Sequence, residues 1–406
     1  MTEAETAALR KVMVDRLVDG GQIRSQQVAE AFKQVPRHLF VPGAEPVMAY
    51  ADEAIPVKQA ADGRTLSSAS QPAIMAIMLE QLGLAPGQRV LEIGTGTGYN
   101  AALMARVVGE TGAVVTVEID EELAGGARQR LRTAGYSSVA VASGDGAAGW
   151  PAGSPYDRII VTASARDLAP AWTAQLADGG LLLVPLSLRG VHQSVAFKRA
   201  GEHLASVSVV CCGFVPMTGE LAGPDPARPL GDTPGVFLSL DDDRHLDVAA
   251  LYAALDQPGQ DLPTGATIAE SDLFAGLGLW LALHDPGVGQ LTAVGPAAER
   301  NLIPAVITDL PGMTSTTVLV GDKSLAAVVR PPGMASAFEA RVRGYGPGGD
   351  DLAARLAASI RAWDSAGRPA SAALRVRACP AASHGHGERA AFTVTMPHTR
   401  FLLDWS

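Results

Sequence analysis

Short apolar runs alternate with amphipathic stretches over the central part of the chain. The runs are rich in Val, Ile and Leu and predict strands over Arg89–Ile93, Ala113–Glu118, Val139–Ala142, Arg158–Thr162 and Leu181–Leu186. The intervening stretches have helical spacing and predict helices over Tyr99–Val108, Glu121–Ala134 and Ala169–Leu176. This alternation is typical of an α/β fold with a parallel, doubly wound sheet.

The segments on either side of this alternation follow other patterns. Val191–Lys198 and Ser206–Cys212 are strand-like with no helix between them, which predicts an antiparallel hairpin at one edge of the sheet. Residues 3–34 predict two helices, with Ser25 as the N-cap of the second. Ser70-Gln71-Pro72 opens a further helix, which Ser70 is expected to cap.

The sequence of the C-terminal half predicts fewer elements. A Pro- and Gly-rich stretch over residues 213–235 predicts a linker, and Asp350–Trp363 predicts one amphipathic helix beyond it. The expected division is an N-terminal domain over residues 1–215, a linker over residues 216–235 and an additional α+β accessory domain over residues 236–406. Within the N-terminal domain, residues 1–85 are expected to be helical and residues 86–215 to form the sheet.

Composition narrows the function classes. Among 406 residues, 32 are basic and 42 acidic, giving a net charge of -10, so nucleic acid is not expected as the main partner. The most apolar run, Leu273–Leu283, has 11 residues and is too short to span a membrane. Three cysteines are too few for a disulfide scaffold and lack metal-site spacing, and His384-Gly385-His386 is interpreted as a surface loop. We expect a cytoplasmic protein without a metal.

The stretch Val90–Tyr99 combines a hydrophobic strand, a three-glycine turn and a helix start. A dinucleotide-binding turn reads G-x-G-x-x-G, whereas this turn reads G-x-G-x-G and follows Glu92. An acid here would repel a pyrophosphate and attract the cationic groups of a ligand such as S-adenosylmethionine. The residues expected to bind this cofactor from the turn are Glu92, Gly94, Thr95, Gly96 and Gly98.

Two more acids follow the next predicted strands. Glu118 ends the second strand, where a carboxylate can accept hydrogen bonds from both ribose hydroxyls. Asp145, between Gly144 and Gly146, follows the third strand, where an acid can accept from an adenine amino group. Because the carboxyl ends of parallel strands meet in one crevice, we expect these residues to converge on the same ligand.

Seven segments in sequence order resemble protein-L-isoaspartate O-methyltransferases over roughly residues 10–215. They are Val35–Pro42, Ser70–Pro72, Val90–Tyr99, Gly144–Gly146, Gly149–Pro151, Tyr156–Ala163 and Gln175–Gly180. The resemblance implies a class I S-adenosylmethionine-dependent methyltransferase that esterifies isoaspartyl or aspartyl carboxylates. It also implies that Ser70 lies beside the substrate carboxylate. The family usually reads Thr-Ile-Ser-Gln-Pro, but Thr65–Pro72 is longer, which leaves Ser67 and Ser68 as alternates.

Three functions remain open. The first is methylation of isoaspartyl or aspartyl side chains in proteins or peptides, giving an ester that can cyclise to a succinimide. The second is tailoring of a ribosomal precursor peptide, because the additional C-terminal unit looks like the extension of actinobacterial relatives that modify lanthipeptide, lasso or graspetide precursors. The third is a non-catalytic protein that binds S-adenosylmethionine and recognises a peptide.

Overall fold

The computed structural model describes residues 2–60, 64–201, 203–223, 227–231, 235–241, 244–308, 312–333, 337–383 and 389–405. The predicted loop at His384–His386 lies outside the described residues. Within the described ranges, no helix is long and apolar enough to cross a bilayer.

The described secondary structure consists of helices, strands and single tighter turns. The α-helices are α1 (Glu3–Asp19), α2 (Gln26–Gln34), α3 (Pro46–Ala49), α4 (Pro72–Leu82), α5 (Tyr99–Val108), α6 (Glu121–Thr133), α7 (Pro170–Gln175), α8 (Val248–Ala254), α9 (Glu270–Asp272), α10 (Gly278–His284), α11 (Pro296–Glu299) and α12 (Gly349–Ser365). The strands are β1 (Ile55–Gln59), β2 (Thr65–Ala69), β3 (Arg89–Ile93), β4 (Ala113–Glu118), β5 (Ala140–Ser143), β6 (Tyr156–Val161), β7 (Leu176–Leu188), β8 (Val191–Ala200), β9 (His203–Cys211), β10 (Ala227–Pro229), β11 (Val236–Ser239), β12 (Pro258–Ala269), β13 (Val288–Val294), β14 (Met313–Val320), β15 (Leu325–Val329), β16 (Ala337–Tyr345), β17 (Leu374–Pro380), β18 (Phe392–Thr395) and β19 (Thr399–Trp405).

The chain divides into two compact units. The first unit comprises Met1–Leu186, His192–Ala222 and Arg375–Leu403. The second comprises Ser187–Val191, Gly223–Leu374 and Asp404–Ser406. This division differs from the expected boundaries, because residues 375–403 belong to the first unit and not to the second.

The first unit holds a ten-stranded sheet in the order β18-β19-β17-β9-β8-β7-β6-β3-β4-β5. The five strands from β7 to β5 are parallel, which confirms the predicted α/β fold. β3 consists almost wholly of buried residues because the sheet is covered on both faces, and Val90 and Leu91 have no exposed surface.

The predicted β8–β9 hairpin is present, but it does not lie at the edge of the sheet. β17 pairs with β9 through Arg377 opposite Ala205 and Ala378 opposite Leu204. The Val376 amide also donates to Ser206 Oγ at 2.9 Å, across 170 residues of sequence. A local pattern cannot indicate a strand partner so distant in sequence.

The predicted N-terminal helices are α1 and α2, and Ser25 caps the second by accepting from the Val28 amide at 3.3 Å. The expectation that Ser70 caps α4 is wrong. The N-cap position is Gln71, whose side chain makes no capping bond. Instead, the Asp52 carboxylate accepts from the Ala73 amide at 2.8 Å and from Gln71 Nε2 at 3.1 Å. A carboxylate near a helix N-terminus is favourable because it faces the positive end of the helix dipole.

The second unit holds a seven-stranded sheet in the order β10-β11-β13-β14-β15-β16-β12, with antiparallel neighbours throughout. The predicted helix over Asp350–Trp363 is confirmed as α12, which contributes Leu356, Ile360 and Trp363 to a hydrophobic core. The apolar run Leu273–Leu283 is largely buried and consists of a π-helical turn followed by α10.

Candidate active site

The glycine turn joins β3 to α5 and has a backbone that favours glycine at three positions. Gly94, Gly96 and Gly98 have φ angles of +99°, +51° and +86°, which side-chain-bearing residues rarely adopt. A Cβ atom on Gly94 would also lie 2.5 Å from Thr162 Oγ1. The chain therefore passes close to β6 here and leads directly into the N-terminus of α5.

Glu92 lies behind this turn, with no exposed surface. Its Oε1 accepts from Asn100 Nδ2 at 2.7 Å, and its Oε2 accepts from Thr116 Oγ1 at 2.6 Å. Thr116 Oγ1 lies 2.7 Å from Thr95 Oγ1, so the network reaches the turn itself. Burial raises the pKa of Glu92 to about 7, although the bonds from Thr116 and Asn100 favour the ionised form. The network ties the turn to β4 and α5.

Glu118 stands at the carboxyl end of β4 and is 7% exposed. Its Oε2 accepts from the Gly96 amide at 2.9 Å, and its Oε1 accepts from the Asp120 amide at 3.2 Å. The structure therefore brings together the acid and the turn that the sequence pattern predicts to share a ligand.

Asp145 follows β5 and caps a 3₁₀ turn over Gly146–Ala148. Its Oδ1 accepts from the Ala147 amide at 2.9 Å. The preceding Gly144 amide donates to the Glu118 carbonyl at 2.9 Å, which places the second and third predicted acids on neighbouring strand ends. Gly146 is buried, and a Cβ atom there would lie 2.3 Å from Ile93 Cγ2.

A segment that the sequence analysis assigned partly to a linker packs against Asp145. Within this segment, residues 213–222, the Glu220 amide donates to Asp145 Oδ2 at 2.7 Å. The segment also bonds to the loop that follows β6, since the Met217 amide donates to the Ser164 carbonyl at 2.9 Å and the Ser164 amide donates to the Val215 carbonyl at 2.8 Å. We call residues 213–222 the strap. Sequence reasoning missed it because glycines and prolines obscure any periodicity.

The three candidate serines lie on or next to the β1–β2 hairpin, and all three are half-buried. A Cβ atom on Gly96 would lie 3.7 Å from Ser67 Oγ and 3.7 Å from the Ser68 carbonyl oxygen. Ser70 lies between β2 and α4. Among the described residues, none of the three hydroxyls has a hydrogen-bond partner.

Lys58 on β1 is a charged residue that sequence reasoning missed. Its Nζ forms an ion pair with Asp120 and lies 3.3 Å from Glu122 Oε2. The hydrogen bonds to these carboxylates raise the pKa of Lys58, and the bond from Lys58 lowers the pKa of Asp120. Lys58 and Asp120 are 62 residues apart, and no motif links them.

The N-terminal half of the chain is similar in sequence to known proteins. The model of the protein-L-isoaspartate(D-aspartate) O-methyltransferase family matches residues 8–222. A protein-L-isoaspartate O-methyltransferase of Ignicoccus hospitalis is 40% identical over 213 residues, covering 52% of this chain and 98% of the relative. Protein-L-isoaspartate O-methyltransferase 1 of Archaeoglobus fulgidus is 45% identical over 211 residues, covering 52% and 94%.

A solved structure named protein-L-isoaspartate O-methyltransferase superposes with a TM-score of 0.51 at 24% identity. It covers 91% of this chain and 96% of its own, so a fold similar to that of nearly the whole chain, the second unit included, is already known. At this identity the likeness shows the fold alone.

The parallel sheet and its glycine turn define a class I S-adenosylmethionine-dependent methyltransferase, which confirms the fold class and cofactor predicted from the sequence. Since the family model matches more than half of its residues, the chain belongs to the protein-L-isoaspartate (D-aspartate) O-methyltransferase family. The sequence resemblance is therefore confirmed.

Proposed function

We propose that this protein transfers a methyl group from S-adenosylmethionine to the free carboxylate of isoaspartyl residues in proteins and peptides. The observation that carries the proposal is the convergence of Glu118 and the glycine turn at the carboxyl end of the parallel sheet, in a chain of this family. The net charge of -10 argues against nucleic acid as a partner, and three cysteines that form no disulfide are compatible with a cytoplasmic setting.

The residues around the turn fit S-adenosylmethionine. The ligand carries cationic groups, and carboxylates of both Glu118 and Asp145 lie at this edge of the sheet. Glu118 would accept the ribose hydroxyls and Asp145 the adenine amino group. Gly94, Thr95, Gly96 and Gly98, with Gly144 and Gly146, would line the ligand. Glu92 would orient the turn and add negative potential from behind it.

When bound, S-adenosylmethionine supplies an electrophilic methyl group, whose transfer leaves a neutral thioether and a carboxylate methyl ester. The acceptor needs no general base, because a carboxyl group with a pKa of about 4 is already ionised at neutral pH. The protein has to orient this carboxylate and exclude water. A hydroxyl suits that task, because it donates one hydrogen bond without the strong charge pairing of a lysine.

Ser67 is our first candidate for this hydroxyl, supported by its position next to Gly96. Ser70 is the second, supported by the family resemblance, by its half-buried position and by the absence of a capping bond to α4. Ser68 points its backbone carbonyl toward the turn and ranks third. In each case the serine would hold the carboxylate beside the donor.

The ester formed on an isoaspartyl residue is a good electrophile for the following backbone nitrogen, because its methoxy group leaves more readily than the oxygen of a carboxylate. Attack by that nitrogen expels methanol and closes a succinimide ring without further help from the protein. Hydrolysis of the ring gives a mixture of aspartate and isoaspartate. The same methylation could therefore serve repair, starting from isoaspartate, or tailoring, starting from aspartate.

Paired peptides that differ only in one isoaspartyl or aspartyl residue test the proposal. With labelled S-adenosylmethionine, we expect methyl transfer to the isoaspartyl peptide and much less to its aspartyl counterpart. Binding of the cofactor without transfer to either peptide would contradict the proposal and favour a non-catalytic binding protein. Preferential methylation of the aspartyl form, or of a precursor peptide encoded nearby, would instead identify a tailoring enzyme.

A further inference from the structure

The β1–β2 hairpin forms a two-stranded sheet of its own and pairs with no strand of the larger sheets among the described residues. An isolated two-stranded hairpin is marginally stable in water, so its position depends on side-chain contacts with the rest of the unit. This matters for the reaction because the hairpin carries Ser67 and Ser68 and leads into Ser70.

Lys58 makes such a contact on the side of the hairpin that faces the cofactor loops. Its ammonium group binds Asp120 and Glu122, at the N-terminus of α6. Asp120 is also the N-cap of α6 and accepts from the amides of Glu122 and Leu123 at 3.0 Å each. Lys58 thus forms an ion pair with a carboxylate whose position is fixed by its hydrogen bonds to α6.

The contacts of Lys58 are part of a continuous series of residue contacts around the candidate active site. Asp120 donates its amide to Glu118, and Glu118 accepts from the Gly96 amide. Gly96 in turn faces Ser67.

This series of contacts returns to Lys58 within the hairpin, because Ser67 lies directly opposite Lys58 across the β1–β2 pair. The same few residues therefore border both the proposed ribose acceptor and the candidate substrate serine.

We infer that Lys58 is a positioning residue that holds the serine-bearing hairpin against the cofactor-binding loop after β4. The inference rests on the proposed function, since it assigns to Lys58 the task of setting the distance between the acceptor carboxylate and the methyl donor. Lys58 touches neither reactant in this assignment. The long aliphatic stem lets its charge reach across from β1 to α6.

The test compares Lys58→Met, which keeps the stem and removes the charge, with Lys58→Arg, which restores it. Lys11→Met is the matched control, because Lys11 forms an exposed pair with Asp15 within α1. For K58M we expect the KM for an isoaspartyl peptide to rise about threefold to fivefold, the effect of losing a solvent-accessible ion pair. K58R should restore the KM, and K11M should match the wild type.

Ionic strength and hydrogen exchange separate positioning from a general loss of structure. At about 1 M salt, where the screening length is about 3 Å, the wild type and K58M should converge in KM. In the presence of S-adenosylhomocysteine, backbone amides of β1 and β2 should exchange faster in K58M than in K11M.

Equal exchange in K58M and wild type, or equal impairment of K58M and K58R, would overturn the inference. If the wild type methylates no isoaspartyl peptide, the proposed function fails, and the exchange measurement alone still decides whether Lys58 holds the hairpin.

Discussion

At the scale of single residues, the three serines differ in what surrounds them and should differ in function. Ser67 Oγ faces Gly96, whereas Ser70 lies beyond the end of β2. We expect Ser67→Ala to lower kcat/KM for an isoaspartyl peptide about tenfold or more, as loss of a hydrogen bond to a charged group does. Ser68→Ala should have a smaller effect. If S70A is the most impaired variant instead, the resemblance has identified the serine better than the contacts have.

Glu92 should make the stability of the first unit depend on pH in an unusual direction. Burial raises its pKa from 4.5 to about 7, so between these values the folded chain holds a proton that the unfolded chain has released. The free energy of unfolding should therefore fall as the pH rises through this window, by about 3 kcal/mol from this group.

Glu92→Gln isolates this contribution, because glutamine keeps the shape and does not titrate. Urea unfolding of both proteins at pH 5 and pH 7.5 should show that the wild type loses stability relative to E92Q at the higher pH. Two unfolding curves that shift in parallel between these pH values would show that Glu92 is not the responsible group.

At the scale of elements, the strap should be needed for binding of the adenosyl group. Gly219 has φ +82°, and a Cβ atom there would lie 2.4 Å from Asp145 Oδ2. Gly219→Ala should weaken binding of S-adenosylhomocysteine several-fold in a calorimetric titration, because it displaces either the strap or the Asp145 carboxylate.

Gly213→Ala is the control for this variant, since nothing lies within 4 Å of a Cβ at Gly213 and its φ is not positive. It should bind like the wild type. Indistinguishable affinities of the two variants would remove the strap from the binding site.

The same scale shows what the sequence could predict. The bounds of β3, β4 and α5 follow from the sequence alone, because buried parallel strands are continuous apolar runs and the glycine turn marks the start of α5. The strap and the hairpin could not be predicted, because contacts such as Glu220–Asp145 and Lys58–Asp120 join residues 75 and 62 positions apart. The predicted N-cap of α4 was wrong for the same reason, since Asp52, which lies outside the helix, accepts the hydrogen bond from the Ala73 amide.

At the scale of the whole molecule, the C-terminal strands belong to the sheet of the first unit. Truncation after Ala222 would remove β17 and expose the edge of β9, which invites aggregation. A chain lacking only residues 223–374, with a flexible linker joining the ends, keeps β18, β19 and all of β17 except Leu374. We expect it to be more soluble than the truncated chain, as measured by the monomer fraction in size-exclusion chromatography.

Activity of this shortened chain also bears on the role of the second unit. Curated relatives match only 52% of the chain, yet are covered almost completely, so we expect the methyl-transfer site within the first unit. Retained activity on generic isoaspartyl peptides would argue against a recognition role of the second unit in tailoring. Loss of that activity in a folded, monomeric protein would instead assign substrate recognition to residues 223–374.

The most direct test of the central claim is a crystal structure with S-adenosylhomocysteine. We expect the ribose hydroxyls on the Glu118 carboxylate, the adenine amino group on Asp145, and the sulfur over the Gly94–Gly98 turn, on the side that Ser67 faces. A ligand bound elsewhere in the protein, or side chains that occupy the space over the Gly94–Gly98 turn in the complex, would contradict the account.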